Sequence, residues 1–143
     1  MLLAVATAPV HSQSNEIVDR ILAEEELTYG SAAYLLLLAS DSIDEDATLA
    51  SAAEALNRSG LGLENRGAND PITLGEYALL TMRVFAVPGG IAWSIHPAPR
   101  YATRELEYRR VIQGQVYPNM KLSGERAMRI LGRVLNLREG GAL

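Results

Sequence analysis

Trp93, His96, Arg100 and Tyr101 crowd into the stretch Val87–Tyr101, which also carries three prolines and two glycines. Histidine works as a general base only beside a nucleophile it can deprotonate and a carboxylate that orients it. Ser94 lies two residues from His96, but no acid follows until Glu105. His96 therefore reads as a surface or hydrogen-bonding residue, and no catalytic residue is assigned. Trp, Arg and Tyr are the side chains that dominate interface energetics, and loops fixed on a rigid scaffold are where binding surfaces sit. The same stretch has a second reading, in which Trp93 and Ile95 plug a gap between helical units and the prolines stiffen a crossover. Arg104 and Arg109 follow on the next helix. Arg126, Arg129 and Arg133 recur at spacings of three and four, which aligns them on one side of the last helix. With Arg104, Arg109 and Arg110 on the preceding helix they could form an anion-binding strip across two helices, since guanidinium pairs with carboxylate or phosphate in bidentate fashion. The candidate binding residues are thus Trp93, His96, Arg100, Tyr101, Arg104, Arg109 and Arg129. The partner they suit is an anionic envelope polymer or an acidic protein face.

Other chemistry is poorly served. With no cysteine and only His11 and His96, thiol catalysis, disulfides, Cys-type zinc sites and multi-histidine metal sites are excluded. Asp41, Asp44 and Asp46 lack the alternating oxygens, central glycine and terminal glutamate of a calcium loop. They read as an acidic turn that caps the next helix, and Glu24-Glu25-Glu26 as a solvated helix end. Gly60, Gly62 and Gly67 have no preceding strand and no lysine, so they form no phosphate loop. No cofactor and no metal are expected, and the chain reads as non-enzymatic.

Charge is divided along the chain. Residues 1–82 hold 3 basic and 13 acidic side chains, and residues 83–143 hold 10 basic and 4 acidic ones, giving −10 and +6 and the net −4. Either oppositely charged helices pack side by side, or the basic half offers a face to an anionic partner. Nucleic acid is not the expected partner, because the whole chain is acidic and few aromatics interleave with the arginines.

The beginning of the chain, Met1 to Gln13, is an apolar run followed by small residues. Val10 and Ser12 suit the positions three and one before a cleavage point, with Gln13 as the mature start, although no Lys or Arg precedes Leu2. Residues 1–13 are therefore expected to be a truncated signal peptide or a detached tail. No segment reaches the roughly 18 uncharged apolar residues of a membrane-spanning helix. The expected location is the periplasm or cell envelope. The alternative is a cytoplasmic structural or adaptor protein with no small ligand.

The elements that must position these residues announce themselves by repetition. Leu27-Thr28-Tyr29-Gly30, Ile72-Thr73-Leu74-Gly75-Glu76 and Leu122-Ser123-Gly124-Glu125 each place an aliphatic residue before a hydroxyl residue. Such a hydroxyl caps orphan N–H groups in a first helical turn, and Thr73 with Glu76 has capping-box spacing. Apolar residues then recur in helical phase: Ala32, Leu35 and Leu36; Tyr77, Leu80 and Val84; Ala127, Ile130, Leu131 and Val134. A further helix is predicted before each, carried by Ile17–Leu22, by Ala52–Leu56 and by about Tyr101–Ile112, the last stopped by Gly114. The expectation is an all-α fold with six main helices. Three helix–loop–helix repeats (about 15–40, 47–87 and 100–138) would pack as one domain over 14–139.

Ile72-Thr73-Leu74-Gly75-Glu76-Tyr77 resembles the motif that opens the second helix of S-layer homology repeats, of the form Ile-Thr-Arg-Ala-Glu plus a hydrophobic residue. The layout of three repeats is also similar, and the chain resembles exported spirochaete proteins. The resemblance implies a helical repeat architecture. Leu74 and Gly75 stand where the family has Arg and Ala, and Tyr29 and Gly124 likewise supply no Arg. In that family the Arg helps to bind anionic cell-wall polysaccharide in grooves between repeats, so what is implied here concerns the architecture more than the ligand.

Overall fold

Thr28, Thr73 and Ser123 each leave the chain extended, with φ/ψ of −90/160, −88/166 and −80/155, and then start a helix. Their side-chain oxygens accept the backbone N–H of Ser31, Glu76 and Arg126 at 3.3, 3.2 and 3.1 Å. The Glu76 carboxylate returns the bond to the Thr73 N–H at 3.1 Å, which completes the expected capping box. Thr48 and Ser51 form another, so the helix that begins at Leu49 is capped by Thr48 and not by the acidic turn at Asp41–Asp46, because the Thr48 hydroxyl adjoins the first turn.

A computed structural model describes residues 10–141. Its helices are α1 (Val10–Leu22), α2 (Tyr29–Ala39), α3 (Leu49–Arg58), α4 (Leu74–Val84), α5 (Ile91–Ile95), α6 (Pro99–Tyr108) and α7 (Gly124–Glu139). The chain is all-α. Among the described residues no strand forms, only the isolated bridges Thr28–Pro71 and Thr73–Lys121. The helix α1 starts at Val10, so the backbone is already helical over the last residues of the stretch expected to be a signal or tail. Residues 1–9 lie outside the described residues.

Three helix ends share one device. Asp41, Ala86 and Arg110 adopt φ of 58, 49 and 60°, just past α2, α4 and α6. In each case the next N–H reaches back to the helix: Ser42 to Leu37 O at 2.8 Å, Val87 to Met82 O at 3.0 Å, and Val111 to Leu106 O at 2.8 Å. This is the Schellman closure, made here without glycine. It ends α6 at Tyr108, so Val111 and Ile112, expected on that helix, enter the core from the turn after it. Gly114, expected to stop the helix, lies beyond it with φ of 86°.

Helix partners are not chosen by sequence order across the signature loops. The main contact of α2 is α3, that of α4 is α6, and α7 packs on α1. Thus α2 lies on α3 and α4 on α6, past the short α5, while α7 returns to α1 and to α2. The cap segments are also joined to one another. Tyr29 N–H donates to Asp70 O at 2.8 Å, Leu74 N–H to Met120 O at 2.9 Å, and Gly124 N–H to Glu24 O at 2.9 Å. First-turn N–H groups have no partner inside their own helix, so these carbonyls satisfy them. Close approach at these junctions demands glycine. A Cβ on Gly75 would sit 2.8 Å from Pro118 O, and one on Gly124 only 1.7 Å from Ile21 O. Gly124 is one residue out of phase with Gly30 and Gly75 because its neighbour is the end of α1 rather than a loop.

The three capped helices share one core. Tyr29, Leu36, Tyr77, Leu80, Ala127 and Ile130 are fully buried, and α2 is buried nearly all round from Tyr29 to Leu37. Each such leucine contributes about 1.5–3 kcal/mol by leaving water. The buried tyrosines find partners: Tyr77 Oη donates to Ala127 O at 3.0 Å, joining α4 to α7, and Tyr29 Oη donates to Asn57 Oδ1 at 2.6 Å. Burial raises the pKa of Tyr29, Tyr34 and Tyr77 above the usual phenol value, because the phenolate would lose its hydration.

Candidate functional site

The stretch between α4 and α6 is not an open loop. Gly90 stands at the N-cap of α5 in extended conformation, and the helix lasts just over one turn before Pro97 and Pro99 redirect the chain into α6. Arg109 Nη2 donates to Pro88 O at 2.6 Å, which ties the start of this stretch to the far end of α6. Trp93 folds back over Gly89, where a Cβ would come within 2.1 Å of the indole. The indole is half-buried at the edge of the core. Ile95 does not plug any gap between units: it is 78% exposed, as Ile91 is 81% exposed. Five residues of helix leave both of them with little to pack on.

Four of the candidate residues come together. Arg100 and Arg104, one turn apart on α6, place their guanidinium carbons 5.8 and 5.9 Å from the centre of the Tyr101 ring. His96 meets the edge of the same ring with centroids 6.2 Å apart and planes at 84°. The tyrosine face attracts both cations through its quadrupole. Among the described residues neither Arg100 nor Arg104 makes a hydrogen bond or an ion pair, so their N–H forks are turned to solvent. A hollow of about 330 Å³ adjoins them, lined by Arg100, Thr103, Arg104, Glu107, Val116 and Pro118. Thr103 spends its hydroxyl on Pro99 O at 2.7 Å.

The other arginines serve the fold. Arg109 is held by Glu105, with Nε 3.5 Å from Oε1, as well as by Pro88. Arg129 pairs with Glu125 one turn earlier on α7. Its neighbours Arg126 and Arg133 bond main-chain carbonyls: Arg126 those of Gln113 and Gln115 at 2.9 and 2.5 Å, and Arg133 that of Val111 at 3.1 Å. Burial, and then the charges of Arg129 and Arg133, lower the pKa of Arg126. The expected strip running across two helices is therefore broken. The helix α6 packs on α4 while α7 packs on α1 and α2, and the donors of Arg126, Arg129 and Arg133 are taken up by partners within the chain. The ion pairs Arg66–Glu76, Arg109–Glu105 and Arg129–Glu125 each stay within one half of the chain.

A larger hollow of about 740 Å³, outside the candidate set, lies beside α3 and α4, among Asn57, Gly62, Leu63, Glu64, Arg66 and Arg83. Its cations are engaged. Arg66 bonds Glu76 at 2.5 Å, and Arg83 Nη1 donates to Gly62 O at 3.1 Å. Arg83 stands ten residues after its cap, as Arg133 does, and both reach carbonyls of the loop preceding their own cap. That shared position was the signal available in the sequence. Among the described residues no cluster of acidic or histidine side chains suits a metal ion, and no helix is long and apolar enough to cross a membrane. No family model, curated protein or solved structure matches the chain.

Proposed function

We propose that this chain is a non-catalytic binding module of the cell envelope. Its repeats are related to S-layer homology repeats, and it takes an anionic polymer or an acidic protein face on the corner formed by α5 and α6. One observation carries the reading: Arg100 and Arg104 flank Tyr101 with their donor forks unshared, beside a hollow that admits a ligand group. Carboxylate and phosphate are the groups that a pair of such forks binds in bidentate geometry. A binding role also accords with His96, whose ring faces Tyr101 rather than a carboxylate and a nucleophile. Arg109 acts here as a positioning residue that holds the 88–90 backbone against α6.

The test measures binding of the full chain to polyglutamate and to polyphosphate, and its capture by envelope against cytosolic fractions. Arg100→Ala should weaken polyanion binding by about 1–3 kcal/mol, the scale of an interface anchor. Unfolding stability should change by less than about 0.5 kcal/mol, as for an exposed side chain. Unchanged binding in Arg100→Ala and Arg104→Ala, or capture confined to the cytosol, would refute the proposal. The cytosolic result would favour an adaptor role.

A further inference from the structure

The ridge formed by α5 is the least explained apolar surface of the described chain. Ile91 and Ile95 are 81% and 78% exposed and lie one turn apart, so they project from the same side of the helix. Single exposed isoleucines are ordinary, but two on one short helix, raised on a crossover that Arg109 and Trp93 brace, are not. What borders them indicates the occupant. Arg100, Arg104 and His96 lie just beyond the end of α5, gathered around Tyr101, and the two arginines have no acceptor among the described residues. The acids nearby are Glu105, which holds Arg109, and Glu107, which lines the hollow beside the arginines. An apolar tip with a cationic and aromatic collar is complementary to an anionic bilayer, where isoleucine enters the acyl boundary and Tyr and Arg remain among the headgroup phosphates.

We propose that the α5 ridge and its collar form a reversible anchor on an anionic lipid surface. Ile91 and Ile95 enter the interface, and Arg100 and Arg104 bind lipid phosphates. This rests on the reading that the Arg100–Arg104 corner takes anionic groups, and it goes beyond the polymer or acidic protein face by assigning lipid phosphates to the same two donor forks. With two isoleucines and two arginines the anchor is weak, and it loosens as salt rises.

Flotation of the full chain with phosphatidylcholine vesicles, with and without phosphatidylglycerol, tests the proposal. Trp93, the single tryptophan, reports contact through quenching by brominated lipid. Binding is expected only with phosphatidylglycerol. It should fall more than tenfold in Ile91→Ser/Ile95→Ser, and roughly fivefold for each of Arg100→Gln and Arg104→Gln. These side chains are all exposed, so thermal unfolding should stay at the wild-type midpoint and separate lost binding from lost fold. Equal partition onto vesicles without phosphatidylglycerol, or wild-type binding by the isoleucine variant, overturns the proposal. So does sedimentation showing that Ile91 and Ile95 hold two copies together. If polyglutamate and polyphosphate still bind through Arg100 while vesicles do not, the membrane is ruled out and the anionic site stands. If neither binds, both readings fail.

Discussion

Replacing Gly124 and Gly132 by alanine, one at a time, adds the same methyl group to the same helix with opposite expected results. Gly132 lies on the solvent side of α7, and a Cβ there meets nothing within 4 Å. Its replacement restricts the unfolded chain and improves helix propensity, so it should stabilise the protein by about 0.5–1 kcal/mol. Gly124 begins α7 against the end of α1. A Cβ there would lie 1.7 Å from Ile21 O, whereas real contacts of this kind stay beyond 3.0 Å, so the two helix ends must separate by more than an ångström. Overpacking of this sort costs about 1–3 kcal/mol. Separation also strains the bond from Gly124 N–H to Glu24 O, 2.9 Å long, which is worth about 1 kcal/mol. Against these stands a propensity gain of at most about 1 kcal/mol. Gly124→Ala should therefore lose about 1–3 kcal/mol. Urea titrations fitted to two states would read both values, and amide exchange should show α1 losing protection in Gly124→Ala alone. If Gly124→Ala lies within about 0.5 kcal/mol of wild type, then α1 and α7 do not meet as described and the return of the last helix to the first is wrong.

Two further outcomes follow from local geometry. Ala86→Gly should raise stability by roughly 1 kcal/mol, because Ala86 holds φ of 49° at the closure of α4, where a side chain is strained; a destabilised variant in urea would show that the closure is not left-handed. Stability should fall more steeply with pH above about 10 in the wild type than in Tyr77→Phe, which starts lower by the lost bond to Ala127 O. Burial raises the folded-state pKa of Tyr77 above the unfolded value near 10, so its contribution is intact below about pH 10 and is lost as pH rises further. Circular dichroism against pH reads the difference, and identical curves for the two proteins would sink the argument.

Local chemistry was legible without a fold. An extended hydroxyl residue before an apolar helical stripe can do little but cap, and Thr28, Thr73 and Ser123 do so. The apolar phase after each cap likewise dictated which faces would be buried, since a helix with one greasy stripe has one stable orientation. The gathering of Trp93, His96, Arg100 and Tyr101 was visible as composition, and three of the four converge on one aromatic ring.

Tertiary structure alone decided the rest, because it turned on which carbonyls and helices lie opposite each residue. Nine arginines share the basic half of the chain, and nothing in their spacing separates those with work in the fold from those without. Arg126 and Arg133 reach loop carbonyls, Arg109 reaches Pro88, and Arg129 meets Glu125, whereas Arg100 and Arg104 meet no acceptor among the described residues. The expected strip failed for the same reason: α6 and α7 follow one another in sequence but pack on different partners. The out-of-phase glycine of the third signature also depends on a distant neighbour, for Gly124 answers to the carbonyl of Ile21, about a hundred residues earlier. Caps and stripes are set by residues within a few positions of one another, and sequence carries them. Which donor is left for a partner depends on long-range packing, and only the folded chain shows it.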